Sequence, residues 1–219
     1  MTIATKTKDT STTSTPDSDL ARQMAVSVLT RITLLADGLC FMWDSHAEAL
    51  EELEQTRDVL TSGPGAKGAR FMKKMSPTEF VLYLKSIGAV ALHTGTSLDD
   101  LLEDIRTVAA LEEEGITDID SACTVVYESP LEMLVRDGWH ALDKPGKPEE
   151  FLILLCTGGP AVRLRGCLNS NGYVSDAWME YQDWFTPWTR LTHPEVPGKT
   201  QGEIDDAMKL YAENLLGDL

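Results

Sequence analysis

The sequence predicts an α+β fold in which a helical N-terminal half is followed by a three- to four-stranded antiparallel β-meander and a C-terminal helix. Three observations carry this. Apolar residues recur at helical spacing from Leu20 to about Val126, the texture changes to period 2 after Pro130, and the glycine-bearing turns Gly158-Gly159 and Asn171-Gly172 separate alternating apolar runs. Helices first and strands second imply segregated layers. The expected organisation is a disordered tail at 1–18, a helical region at 19–128, and a meander with its C-terminal helix at 129–219, separate or joined as one domain.

The tail, Met1 to Ser18, is rich in Thr and Ser and has too little apolar surface to offset the entropy of ordering. Leu20 to Leu35 carries Leu20, Met24, Val26, Val28, Leu29, Ile32 and Leu35 at helical spacing, with Ser18 or Asp19 as cap and Gly38 as terminator. A second helix, about Asp44 to Leu60, should turn Ala47, Leu50, Leu53 and Leu60 inward and Glu48, Glu51, Glu52, Glu54 and Asp58 outward. Gly63 to Lys74 is glycine-rich and basic. It lacks the Gly-Lys-Ser/Thr ending and preceding strand of a phosphate-binding loop, and reads as a connection. Ser76, Pro77 and Glu79 form a capping-box signature that opens a third helix to about Ile87. Ser97 opens a fourth, Leu98 to about Glu114, with Leu101, Leu102, Ile105, Val108 and Leu111 inward, and a short helix follows near Asp118 to Val126.

Beyond Pro130, Leu131 to Val135 reads as a strand and Asp137-Gly138 as a turn. The next three strands are Phe151 to Cys156, Ala161 to Leu168 and Tyr173 to Gln182. Reading Asn171-Gly172 as a two-residue type I′ loop sets Leu168 against Ser175, Gly166 against Ala177, Arg165 against Trp178, Leu164 against Met179 and Arg163 against Glu180. A two-residue Gly158-Gly159 loop sets Leu155 against Val162 and Ile153 against Leu164. One face then holds Phe151, Ile153, Leu155, Val162, Leu164, Ala177, Met179 and Tyr181, all apolar or small. The other holds Leu152, Leu154, Cys156, Arg163, Arg165, Cys167, Asp176, Trp178 and Glu180, and is too apolar to stand in water uncovered. The aromatic run Trp184 to Trp188 has no assignment by alternation, and Gln201 to Leu216 reads as an amphipathic helix.

A formal net charge of -16 opposes direct binding to nucleic acid or anionic lipid and suits either simple solubility or a basic surface on a partner protein. No run approaches the roughly 20 consecutive apolar residues that span a bilayer, and no secretory h-region begins the chain. Cys40, Cys123, Cys156 and Cys167 lack CxxC spacing, so free thiols and a cytoplasmic location are expected. His46, His93, His140 and His193 fall in no metal-ligand spacing, and no cofactor fingerprint is present, so neither metal nor cofactor is expected.

Two surfaces stand out as candidate partner sites. The first is acidic: Asp99, Asp100, Glu103 and Asp104, followed by Glu112, Glu113 and Glu114, opposed by Arg106 alone. These carboxylates lack apolar shielding that would raise a pKa toward catalytic use, so a solvated helix face or an acidic docking surface is the reading. The second is the outer meander face, Arg163, Arg165, Trp178, Glu180 and Trp184. There Arg163 opposite Glu180 is a cross-strand ion pair worth a fraction of ~1 kcal/mol, and Arg165 opposite Trp178 a cation–π contact of roughly 0.5–1 kcal/mol. Cys156, followed by Thr157, Gly158 and Gly159 whose amides could form an oxyanion pocket, is the best candidate nucleophile. It sits at a strand end and not at a helix N-terminus that would depress its pKa.

The run FLILLCTGGPAVR at Phe151–Arg163, with EYQDWFTPW at Glu180–Trp188, resembles a family of small proteins of unassigned function encoded by phages, prophages and plasmids. The resemblance covers about the last third of the chain and brings no catalytic residues. It implies an accessory gene of a mobile element, whose products often block host defence complexes of the CRISPR or restriction type. The expected function is therefore non-catalytic inhibition of a host nucleic-acid-handling complex through an acidic face. The alternatives are a small cysteine enzyme using Cys156 and a ligand- or peptide-binding module around Arg165, Trp178 and Trp184.

Overall fold

The computed structural model describes residues 16–62, 71–141, 143, 146–184 and 186–217. The expected tail up to residue 15 and most of the basic glycine-rich connection, 63–70, lie outside the described residues. The fold is α+β, with helices at both ends and an antiparallel sheet between them. Two compact units are present: Ile32–Ser129, and the chain up to Arg31 together with Pro130–Leu219.

The first helix, α1 (Pro16–Cys40), is longer than its apolar stripe predicts at both ends. It begins upstream of Ser18 and Asp19, which therefore lie within the helix and not at its start, and it passes through Gly38 without stopping. Gly38 is there for packing: a Cβ would lie 3.0 Å from Leu111 Cδ2, 3.5 Å from Ile116 and 3.6 Å from Ala122. Trp43 Nε1 donates to the Gly38 carbonyl at 3.3 Å.

The Ile32–Ser129 unit continues with α2 (Trp43–Ser62), α3 (Pro77–Ser86), α4 (Leu98–Glu113) and α5 (Ile119–Glu128). Ser76 and Glu79 form the predicted reciprocal capping box of α3. Ser97 accepts from the Asp99 and Asp100 amides to cap α4, and Asp118 with Ser121 caps α5. Leu53, Phe80, Val81, Leu84, Leu98, Leu101 and Leu102 make a buried cluster with Ala49, Met72 and Leu92. The inward face of α2 differs from expectation. Ala47 and Leu60 are exposed, and the stripe that faces protein is His46, Ala49, Leu53, Arg57 and Thr61. Arg57 can join it because its guanidinium lies over the Phe80 ring at 4.8 Å while Glu54, 3.0 Å away, supplies the counter-charge.

In the second unit the sheet has the order β1-β2-β3-β4-β5, a pure meander: β1 (Glu132–Asp137), β2 (Pro148–Cys156), β3 (Ala161–Leu168), β4 (Val174–Gln182) and the two-residue β5 (Thr189–Arg190), one strand more than the pattern predicts. The central register, Ile153↔Leu164, Arg163↔Glu180, Leu164↔Met179, Arg165↔Trp178 and Gly166↔Ala177, is as expected. Both hairpin ends differ. The β2–β3 loop is four residues, Thr157 to Pro160, with Gly158 and Gly159 both at positive φ, and Cys156 pairs with Val162 so that Leu155 is the extra residue of a bulge. At the β3–β4 end Leu168 pairs with Val174, not Ser175. Among the described residues His193 is the only non-glycine at positive φ, which rules out a type I′ turn with Asn171 left-handed. The loop has the three-residue form instead: Gly172 N–H donates to the Asn169 carbonyl, Asn169 N–H to the Tyr173 carbonyl, and Gly172 takes the left-handed position at φ 86.

Six of the eight predicted inner-face residues, Phe151, Ile153, Val162, Leu164, Ala177 and Met179, are buried, while Leu155 and Tyr181 are half-buried. Helix α6 (Gln201–Leu216) packs on β4, with Ile204, Met208, Tyr211 and Leu215 buried, and Leu29 of α1 lines the same hollow as Ala177 and Met179. Gly166 allows the Phe151 ring to cross its strand: a Cβ there would fall 2.4 Å from that ring and 2.1 Å from the Asp176 carbonyl.

Candidate functional site

The acidic surface follows from the amphipathic pattern of α4. At 100° per residue, Asp99, Asp100, Glu103 and Asp104 fall within one arc opposite the buried Leu98, Leu101 and Leu102. Asp100, Glu103, Glu112 and Glu113 are exposed, and Glu114, the C-cap residue, is half-buried. Local partners neutralise or approach part of this surface. Asp99 pairs with Lys85, a counter-charge that the arrangement in sequence did not reveal, and Asp104 lies 4.0 Å from His46 Nδ1. Burial pulls the His46 pKa below its ordinary value despite the opposing attraction of Asp104, which favours the neutral imidazole. From Asp99 to Glu114 the helix rises roughly 22 Å, at ~1.5 Å per residue.

On the outer face of the meander, four of the five sequence-selected residues come together in one network. Arg163 donates to Glu180 through Nε at 2.7 Å and Nη2 at 2.6 Å, Trp178 Nε1 donates to Glu180 Oε1 at 2.9 Å, and Arg165 Nη1 stands 3.8 Å from Glu180. Arg165 continues to Glu150 at 3.0 Å, and Glu150 also binds Arg136. The result is an alternating row, Arg136, Glu150, Arg165, Glu180 and Arg163, across four strands. Aromatic planes extend it: Arg163 lies 3.9 Å over Trp188, and Trp178 is faced by Arg190 at 4.8 Å and Arg165 at 5.8 Å. Burial alone would raise the Glu180 pKa, but hydrogen bonds from Trp178 and Arg163 and the charges of Arg163 and Arg165 outweigh it and hold the carboxyl below its usual range.

Trp184 stands apart. It lies beyond the end of β4, against the β2–β3 turn, where a Cβ on Gly159 would strike its indole at 2.1 Å. Sequence reasoning missed Glu150, Arg136, Trp188 and Arg190. Glu150 precedes the apolar run that marks β2, Arg136 follows the one that marks β1, and the last two lie where alternation has lapsed. Glu180, Glu150, Arg163 and Arg165 are each held by a partner, Arg165 and Arg163 stand opposite Leu152 and Leu154 across the strands, and Arg136 at the end of the row is 71% exposed.

The thiol of Cys156 is half-buried opposite Val162, and burial pushes its pKa up, away from a reactive thiolate. All four cysteines are free thiols. Among the described residues no group of three His, Cys, Asp or Glu side chains is placed to hold a metal ion. Helix α1 is long and apolar enough over Asp19–Cys40, at mean hydropathy 1.2, to cross a membrane by length and composition, yet its stripe of Ala21, Ala25, Leu29, Ile32, Leu35 and Ala36 is buried in protein. A hollow of about 250 Å³ beside β4 is lined by Trp178, Arg190, His193, Pro194, Asp205 and Met208 among others, with His193 at φ 48.

Comparison of the chain with protein-family models, curated proteins and solved structures finds no match.

Proposed function

We propose that this is a non-catalytic interaction protein of a phage or mobile element that uses the acidic face of α4 to occupy a basic surface on a host nucleic-acid-handling defence complex, of the CRISPR or restriction type. The observation that carries the reading is the placement of Asp100 and Glu103, exposed beside Asp99 and Asp104 on the side of α4 opposite its buried leucines. Carboxylates at i, i+3 and i+4 stand about 5–6 Å apart along a rigid helix, an array of fixed negative charge that suits a groove built for phosphates. The net charge of -16 supplies long-range attraction toward such a groove. The raised thiol pKa of Cys156 weighs against the cysteine-enzyme alternative. The mobile-element context rests on the sequence resemblance of the C-terminal third.

The test is affinity capture from bacterial lysate, after nuclease treatment, with the native chain and with Asp100→Lys/Glu103→Lys. Neither side chain is needed by the core, so the variant should fold and lose its partner. Capture of the same partner by both proteins refutes the acidic-face reading.

A second reading, a small-ligand module, is favoured by the hollow beside Trp178, where a non-glycine residue, His193, holds a left-handed backbone. Saturable change of tryptophan fluorescence with a metabolite library, abolished by Trp178→Phe, supports it; a flat response refutes it.

A further inference from the structure

Strand β1 is an edge of the sheet, and its outer side has no neighbouring strand among the described residues. Edge strands are ordinarily blunted by proline, lysine, an inward charge or a covering element. Among the described residues the middle of β1 has none of these: Met133, Leu134 and Val135 are exposed at 44%, 49% and 42%. Its charges are arranged symmetrically, with Glu132 two residues before Leu134 and Arg136 two residues after.

We propose that β1 pairs antiparallel with β1 of a second copy of this chain, about a two-fold axis at Leu134. Charge complementarity selects this occupant and this direction. In antiparallel self-pairing, Glu132 of each copy faces Arg136 of the other, Leu134 faces itself, and Met133 faces Val135. Parallel self-pairing would instead place like charges beside each other. Alternation keeps the faces consistent: Glu132, Leu134 and Arg136 share the face of Leu152 and Glu150, while Met133 and Val135 share the face of Ile153 and Phe151. The isologous contact extends each charged row through the axis, because Arg136, bound to Glu150 within its own chain and 71% exposed, keeps guanidinium donors for Glu132 of the other copy. The net charge opposes association at long range, but at physiological salt it is screened beyond about 8 Å, whereas the paired side chains are in contact.

Sedimentation velocity of the full chain over a concentration series is the test. A concentration-dependent dimer is expected, and Glu132→Arg should weaken it at least ~10-fold by setting two like charges across each end. Arg136→Glu should do the same by the opposite sign. An equimolar mixture of the two variants should dimerise again, as mixed pairs in native mass spectrometry, because each then meets its complement. A second measurement fixes the register. Leu134→Cys should form an intermolecular disulfide between the two 134 positions, since residues directly opposed have Cα atoms about 4.5–5.5 Å apart, while Val135→Cys should not. Peptide mapping separates this bond from any made by the native thiols. A monomer at every concentration, a dimer indifferent to Glu132→Arg, or equal crosslinking at 134 and 135 overturns the proposal.

Discussion

Replacing Glu180 by Gln tests whether the charged row holds the meander together or merely decorates it. The carboxylate is 12% exposed and its main partner, Arg163, 16%, so the pair lies in the regime where removal of one charge leaves the other poorly solvated. Glutamine keeps one oxygen for Trp178 Nε1 or Arg163 but turns an amide group toward the guanidinium that now approaches at 2.6–2.7 Å. At about 1.5–3 kcal/mol for each charge-assisted hydrogen bond, discounted because one oxygen remains and water reaches the rim, the expected loss is about 2–4 kcal/mol. Urea unfolding followed by tryptophan fluorescence reads it, since Trp139, Trp178, Trp184 and Trp188, four of the chain's five tryptophans, lie in the meander unit. The pH dependence gives an independent sign. Because the folded pKa of Glu180 is depressed below 4.5, its contribution is complete above that value and is lost as pH falls through the folded pKa. The gap between native protein and variant should therefore be widest near neutral pH and narrow as the pH falls below the ordinary carboxylate range. A difference below about 0.5 kcal/mol at pH 7, or one independent of pH, would show that the row is no more than an ordinary surface ion pair.

Gly166→Ala should destabilise the meander by about 2–4 kcal/mol, because its new methyl meets the Asp176 carbonyl and the Phe151 ring; chemical denaturation with unchanged stability would contradict the observed crossing of that ring. Ser76→Ala should lower the stability of the Ile32–Ser129 unit by about 1 kcal/mol through loss of the α3 cap, and Thr200→Ala should do the same for the meander unit through α6; hydrogen exchange at the first-turn amides locates each effect. In timed alkylation at pH 7 with mass-spectrometric mapping, exposed Cys40 should react before Cys156, and a faster Cys156 would reopen the case for a nucleophile.

The helices α3 to α5 and the centre of the sheet were legible because their signals are local. A Ser-Pro-x-Glu box, a 3.6-residue stripe and a period-2 alternation each act within a few residues, and one correct cross-strand pair fixes its neighbours. The hairpin ends were less legible. The two-residue readings of Gly158-Gly159 and Asn171-Gly172 assumed that adjacent turn-formers are the whole loop, but Thr157 and Pro160 belong to the first loop and Ser170 to the second, and the local pairing moved by one at each end. Similarly, Gly38 carries the composition of a helix end, whereas its role is set by Leu111, Ile116 and Ala122, far away in sequence. The candidate sites divide in the same way. The acidic arc of α4 could be drawn from helical geometry alone, but that Asp99 is neutralised by Lys85 could not.

By itself the sequence determined the class of fold, the order of its elements, the inner face of the meander and the acidic side of α4, because hydrophobic periodicity and capping chemistry are properties of the chain's own local geometry. Tertiary structure alone decided what stands beside the apolar residues of the outer face. Leu152 and Leu154 called for a cover, and strand pairing sets Arg165 and Arg163 opposite them, brings Glu150 of β2 and Glu180 of β4 to either side of Arg165 and lays Arg163 on Trp188. Such a layer forms between side chains 15 to 25 residues apart, and its existence depends on register and on the path of the chain after β4, neither of which a local pattern encodes.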